Sequence, residues 1–186
     1  MSHHNLEPVL VFITLGSNIA PEQNLPRAVK MIQQNYHLRL CNVSRVYASA
    51  PINSRGEVAP DQPEFLNAAV LVQSDGYFSA LKLKFHTLRF IEFCLGRQRG
   101  PDKFAPRPID LDIALYGDQV IETPHLVIPD PDLLRRAHVA LPLADLMPDF
   151  KHPVTGQTLA QIAAPFVDQP GITICTGVRL DSTNSA

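Results

Sequence analysis

The stretch Arg97-Gln-Arg-Gly-Pro-Asp-Lys-Phe-Ala-Pro-Arg-Pro-Ile-Asp-Leu-Asp-Ile-Ala-Leu115 begins with cations and ends in an alternation of apolar and acidic residues. Gly100, Pro101, Pro106 and Pro108 break its first part, so Arg97, Arg99, Lys103 and Arg107 lie in a long loop. From Ile109 the period becomes two, which predicts a strand with Asp110 and Asp112 on one face and Leu111 and Ile113 on the other. Hard divalent cations such as magnesium take oxygen ligands from one or two carboxylates together with substrate phosphates. Guanidinium forks suit the phosphates themselves. Alone, an acidic strand face is usually the wet side of a sheet, and a basic loop is usually solvated. Their adjacency points instead to metal-bound polyphosphate, because clustered guanidinium groups repel one another unless an anion lies between them.

Working back toward the N-terminus, a helix is predicted over Tyr77 to Leu95, with Phe78, Leu81, Phe85 and Leu88 as its buried stripe. Glu92 interrupts that stripe. A carboxylate there needs a partner, either Arg89 one turn earlier, the arginine loop downstream or a ligand hydroxyl. The preceding strand, Gln62 to Val72, carries Phe65 and Asn67 on one face. A side-chain amide can match a donor and an acceptor on a planar heterocycle, or pair with neighbouring backbone; the phenyl ring can stack or fill core. Ser49 to Gln62 is a loop long enough to suggest function. His37 to Tyr47 reads as a strand, with Leu38, Leu40, Val43 and Val46 as core candidates. Asn24 to Asn35 reads as an amphipathic helix through Leu25, Ala28, Val29 and Ile32. Val9 to Leu15 is a continuous apolar run, as expected of a strand buried on both faces, and Gly16-Ser17-Asn18 ends it.

Downstream of the acidic strand come short extended pieces at Gln119 to Ile121 and Leu126 to Ile128, then a helical turn at Asp132 to Arg136. The run Ala-His-Val-Ala-Leu-Pro-Leu after Arg136 looks strand-like, Leu143 to Met147 resembles a short helix, and Thr158 to Ala164 another. Past Pro165 the pattern fades, and a frayed tail is expected from about Leu180. The strong elements run strand, helix, strand, strand, helix, strand. That order is the ferredoxin-like βαββαβ unit of the α+β class, an antiparallel sheet with two helices on one face, here with C-terminal additions. The expected division is an extension at 1–8, one domain at 9–164 and a tail at 165–186.

A chain of 186 residues buries one good core. Its net charge of -2 and pI near 6.4 give no general attraction to nucleic acid or anionic membrane, so the anionic partner is expected to be small. Cys41, Cys94 and Cys175 lack paired spacing, which argues against a zinc site or disulfide framework. With no signal peptide and no apolar run of about 18 residues, a cytoplasmic protein is expected. The Gly-x-x-x-x-Gly-Lys-Ser/Thr loop of P-loop kinases is absent.

Leu-Gly-Ser-Asn (15–18), Asp-Gln-Pro-Glu-Phe-Leu-Asn (61–67), Gly-Arg-Gln-Arg (96–99), Pro-Arg-Pro-Ile-Asp-Leu-Asp (106–112) and Arg-Ala-His-Val-Ala-Leu-Pro-Leu (136–143) occur in that order. Together, from about Val9 to Ala164, they resemble the 6-hydroxymethyl-7,8-dihydropterin pyrophosphokinases of folate biosynthesis. The resemblance implies transfer of diphosphate from ATP to the hydroxymethyl group of the pterin, leaving AMP. It also implies two magnesium ions held by Asp110 and Asp112, with Arg97 and Arg107 completing the catalytic set. ATP would be contacted by Arg89, Glu92, Arg99, Lys103, Arg107 and Arg136. The pterin would be contacted by Asn18, Ser49, Phe65, Asn67, Phe104 and His138. The loop from Arg97 to Pro106 would close as a lid over both substrates. ATP and the pterin would be the only partners of a monomer.

Two positions depart from the family pattern. Relatives commonly have Pro-His where this chain has Pro129-Asp130, and a phenylalanine against the pterin where it has His138. These departures motivate one alternative, a catalytically weak ATP- and pterin-binding relative. A second alternative is an Asp-x-Asp transferase acting on nucleotide sugars.

Overall fold

In the computed structural model, which describes residues 7–51, 61, 63–98, 100 and 105–180, the first apolar run becomes strand β1 (Val9–Ser17). It lies between β4 (Phe65–Ser74) and β5 (Asp110–Tyr116), antiparallel to both. Helix α1 (Pro21–Gln33) buries Leu25, Ala28, Val29 and Ile32, the stripe its spacing predicts. The segment predicted as one strand after it is two, β2 (Leu38–Val43) and β3 (Val46–Ser49), both paired with β4. At the break, the Ser44 hydroxyl accepts from Ala69 N–H at 2.8 Å and so replaces a ladder bond. The sheet order is β5-β1-β4, with β2 and β3 end to end along the other edge of β4. This is the antiparallel α+β arrangement expected.

The helix between β4 and β5 is continuous but irregular: α2 (Ala80–Lys82), a π-helical stretch Leu83–Leu88, and α3 (Arg89–Cys94). Its buried face is Ala80, Leu83, Lys84, Thr87, Leu88, Ile91, Glu92 and Leu95. The stripe through Phe78, Leu81 and Phe85 is therefore corrected, since Leu81 is exposed and the two rings are only half-buried. The predicted stripe was anchored on the largest apolar side chains, whereas the true face includes a lysine, a threonine and a glutamate.

Beyond β5, a small hairpin of β6 (Ile121–Thr123) and β7 (Leu126–Ile128) leads to a 3-10 turn at Pro131–Leu134. Next comes α4 (Ala137–Leu146), where a strand and a separate short helix were expected. Seven of its residues are buried, so it carries no amphipathic period to read. Helix α5 (Leu159–Ala163) follows, started by a reciprocal capping box between Thr158 and Gln161. Finally β8 (Ile172–Cys175) pairs with β3, and Leu180 is buried in the core, where fading pattern and a frayed end were expected. Four residues on a sheet edge are too few to show a period. No helix among the described residues is long and apolar enough to cross a membrane.

These additions do more than decorate the sheet. One face carries Val11, Ile13, Leu15, Val70, Leu111 and Ile113 against α1 and the α2–α3 helix. The other carries Phe12, Ala69, Leu71, Ala114 and Leu115 against α4 and α5. Asp145 fixes α4 to β3 by accepting from the Arg45 guanidinium at 2.5 Å and the Tyr47 hydroxyl at 2.9 Å. Burial on both faces is the reason β1 reads as an unbroken apolar run.

On the α4 face, neighbouring strands line up in rows. Phe12 lies beside Leu71 and Leu115, Thr14 beside Ala69 and Asp112, and Gly16 beside Asn67 and Asp110. A bulge between Phe12 and Ile13 is matched by the extra residue Ala114, which lets Ala114 and Leu115 share that face. The rows thus pass from apolar to acidic along the sheet, and α4 covers only the apolar end.

Candidate active site

The uncovered end of that face is the floor of a cavity of about 410 Å³. Thr14, Gly16, Asn67, Asp110 and Asp112 form the floor, with Ser49 and Phe65 at one side. Asp130, Asp132, Arg136 and His138 form the facing wall, delivered by the turn before α4 and its first residues. Gly16 has no positive φ, and a Cβ built there would meet Asn67 Oδ1 at 3.6 Å, an ordinary contact. Glycine here keeps the cavity floor empty.

Asn67 is 6% exposed, and its amide nitrogen donates to Ser49 Oγ at 2.9 Å and to Tyr47 O at 3.3 Å. Its orientation is therefore set by β3, and among the described residues its amide oxygen has no recorded donor. Phe65 lies beside it, with the Arg107 guanidinium 5.7 Å from the ring centroid.

The acidic pair is held by cations. Arg97 and Arg107 both donate to Asp110, the latter at 2.7 Å, and Lys84 donates to Asp112. Behind them, the buried Glu92 accepts from Arg97 at 2.5 Å and from Leu111 N–H at 2.9 Å. Burial pushes Asp110 up, but the hydrogen bonds and charges of Arg97 and then Arg107 outweigh it and hold its pKa below the ordinary carboxylate value. Asp112 moves the other way: burial raises it, Asp110 and Glu92 add to the rise, and Lys84 only partly offsets them. Asp130 is pushed up to about 6 by burial, with repulsion from Asp112 and Asp132 adding to it. Burial and the neighbouring Arg136 push His138 down, which favours the neutral imidazole.

Among the described residues, no group of three or more His, Cys, Asp or Glu converges as a metal site. Asp110 and Asp112 nevertheless fit magnesium as a pair, because that ion accepts one or two carboxylates when substrate phosphates supply the remaining oxygens.

The cavity brings together most of the residues singled out from sequence: Ser49, Phe65, Asn67, Arg107, Asp110, Asp112, Arg136 and His138 all line it. Arg97 and Glu92 stand one layer behind Asp110. Asn18 does not line the cavity. Its Oδ1 accepts from Arg107 N–H at 2.7 Å, its amide nitrogen reaches Pro63 O at 3.4 Å, and next to it Ser17 Oγ donates to Pro108 O at 2.6 Å. Together they clamp the end of the arginine loop onto β1. Arg89 faces outward on α3, with its guanidinium 4.0 Å from the Phe85 ring centroid. Arg99, Lys103 and Phe104 lie outside the described residues. Sequence reading passed over Lys84, Thr14 and Asp132. Thr14 is the one polar residue inside the first apolar run, and Lys84 precedes Glu92 by eight positions on the same helix.

The model of the 7,8-dihydro-6-hydroxymethylpterin-pyrophosphokinase family matches residues 12–148. A 2-amino-4-hydroxy-6-hydroxymethyldihydropteridine pyrophosphokinase of Pseudomonas aeruginosa is 35% identical over 159 residues, covering 84% of this chain and 92% of that protein. The Haemophilus influenzae protein of the same name is 33% identical, covering 86% and 94%. The folic acid synthesis protein fol1 of Pneumocystis carinii is 36% identical over 90% of this chain, which spans only 21% of that protein. Among solved structures, wild-type Plasmodium falciparum HPPK-DHPS superposes with a TM-score of 0.66 over 93% of this chain and 49% of that one; at 14% identity this shows the shared fold.

Proposed function

The chain belongs to the 7,8-dihydro-6-hydroxymethylpterin-pyrophosphokinase family, and on that premise we propose that it moves diphosphate from ATP to the hydroxymethyl group of 6-hydroxymethyl-7,8-dihydropterin. The hydroxymethyl oxygen attacks the β-phosphorus, the bond from that phosphorus to the α,β-bridging oxygen breaks, AMP leaves and the hydroxyl proton is released. The observation that carries this reading is that one cavity has two chemically different ends. Asn67, Ser49 and Phe65 offer hydrogen bonds and a ring face for a flat heterocycle. Across the floor, Asp110, Asp112, Arg107 and Arg136 offer the charges that a metal-bound polyphosphate needs.

Asp110 and Asp112 are the residues that would hold magnesium, two ions in this reading. The chemistry it would supply there is neutralisation of negative charge on the phosphate oxygens. The chain's own residues do the rest. Arg107 leaves Asp110 for a phosphate when the anion arrives, because its guanidinium already faces the cavity. Arg97, held by Glu92, stays behind Asp110 and fixes that carboxylate. Arg136, half-exposed and only 3.8 Å from Asp132, is placed to reach phosphate from the opposite wall. Asn67, oriented by Ser49 and Tyr47, reads the edge of the pterin, and His138 flanks it as a neutral ring. Positioning and preorganised charge supply the rate. We infer a cytoplasmic monomer whose partners are its two substrates, a reading supported by the small net charge and the three free cysteines.

Titration calorimetry with a non-hydrolysable ATP analogue, with and without magnesium and pterin, followed by an AMP-release assay, tests this. We expect analogue binding that needs magnesium and AMP release that needs the pterin. AMP release indifferent to the pterin would overturn the proposal, and binding without turnover would favour a catalytically weak relative. Arg107→Ala should slow diphosphate transfer far more than it weakens pterin binding; equal losses would remove its assigned role.

A further inference from the structure

Lys84 is a buried lysine with two fixed partners. Its ammonium donates to the Leu111 carbonyl at 2.8 Å and to Asp112 Oδ1, and its side chain is 9% exposed. Strand β5 is the edge of the sheet, so the outward backbone groups of Leu111 need partners. Lys84 takes the carbonyl and Glu92 takes the N–H. The π-helical stretch makes that pairing available. Eight residues exceed two α turns, which would rotate Lys84 and Glu92 apart, and a π turn takes up more residues and brings them back toward one face. The backbone records it in Arg89 N–H donating to Lys84 O, five residues back.

The two acidic residues therefore hold different kinds of cation. The Arg107 guanidinium on Asp110 faces the cavity and can turn to a phosphate. Lys84 enters from the helix side of the sheet edge and is anchored on backbone, so it cannot follow an incoming anion. We propose that Lys84 is a positioning residue that stays on Asp112 as a permanent counter-ion, leaving the other carboxylate oxygen for metal, so that the site rejects free divalent cations and accepts them only with nucleotide phosphates. This rests on Asp110 and Asp112 being the metal ligands. A resident positive charge beside the carboxylate repels a bare dication; a dication already carrying a polyphosphate brings its own compensating charge.

The test is manganese binding, followed by electron paramagnetic resonance with and without a non-hydrolysable ATP analogue, in the wild type, Lys84→Met, Lys84→Gln and Lys84→Arg. Glutamine can still donate to the Leu111 carbonyl, which separates loss of charge from loss of the anchor if the methionine variant folds poorly. Both neutral variants are expected to bind free manganese about tenfold or more tightly than the wild type, with the manganese–analogue complex changed by less than about threefold. Lys84→Arg is expected to keep the weak free-metal affinity. Unchanged or weakened free-metal binding in both neutral variants, with analogue-dependent binding intact, overturns the role of Lys84 alone. Absence of manganese binding even with the analogue in the wild type overturns the ligand assignment as well.

Discussion

The two faces of the central sheet are made by the same strands and end differently. On the α1 side, β1 contributes Val11, Ile13 and Leu15, all buried, and apolar packing continues to the strand end. On the α4 side the same strand contributes Phe12, then Thr14, then Gly16, while its neighbours change from Leu71 and Leu115 to Asn67 and Asp110. One face buys stability along its whole length; the other gives up half of its length to an open acidic cavity. Side-chain size falls toward the cavity while charge rises, and the strand ladder makes the two gradients coincide.

That contrast can be broken from either side. The largest effect is expected from Asp112→Ala, which should lower diphosphate transfer by roughly a thousandfold or more, about 4 kcal/mol of transition-state stabilisation. It should also lower the melting temperature, since Lys84 would be left buried without its carboxylate. An AMP-release assay beside a thermal melt checks both, and near-normal turnover would remove Asp112 from the chemistry. On the closed face, Ile13→Ala should cost about 3 kcal/mol of unfolding free energy, read from urea titration, with substrate affinity nearly unchanged. If it instead weakened substrate binding at constant stability, the division between faces would fail.

Gly16→Val is the sharper probe, because it adds bulk to the cavity floor without disturbing a backbone that any residue can adopt. It should weaken substrate binding about a hundredfold, about 2.7 kcal/mol, while stability changes by less than about 1 kcal/mol. Calorimetry and urea titration on the same sample decide it. The smallest effect concerns Asp130, whose pKa of about 6 in the fold lies above that of an unfolded aspartate. Between those two values the folded chain holds more protons than the unfolded one, so this group's contribution is most favourable below about pH 4 and is lost as pH rises through about 6. Asp130→Asn keeps an oxygen for the Asp132 N–H and should be more stable than the wild type by on the order of 2 kcal/mol at pH 8, with the difference gone near pH 4. A pH-independent difference would contradict the assignment.

How much of this could be read from the chain depended on whether periodicity survived. β5 was legible because its faces differ, with Asp110 and Asp112 against Leu111 and Ile113. β1 was legible as doubly buried because neither face shows a polar break until Thr14. Helix α4 was hidden for the same physical reason, since a helix apolar all round looks like a strand when Val139, Leu141 and Leu143 alternate. The cavity floor was legible as acidic, and Asn67 as a polar residue in an apolar strand. Asn18 and Arg89 were named as ligand contacts through the family resemblance, and what the chain alone does not show is their direction, Asn18 onto the Arg107 backbone and Arg89 over the Phe85 ring. Lys84 stayed hidden because a lysine on a helix is ordinarily solvated, and only the edge of β5 gives it a reason to be buried.

The extra residue at Ala114 works as a change of phase. Before it, even-numbered positions of β5 face the cavity side; after it, Leu115 does, and Tyr116 turns to the opposite core. The carbonyl of Ala114 also accepts from Asp130 N–H at 2.9 Å, so the wall of the cavity is hung from that same irregularity. Removing that residue would leave every rung of the ladder as it is, with Ile113 beside Ile13, Leu115 beside Phe12 and Tyr116 beside Val11, but would take away the carbonyl that holds Asp130 and loosen the facing wall. The irregularity thus serves the wall rather than the ladder, and its loss would be felt at the far side of the cavity before it reached the acids.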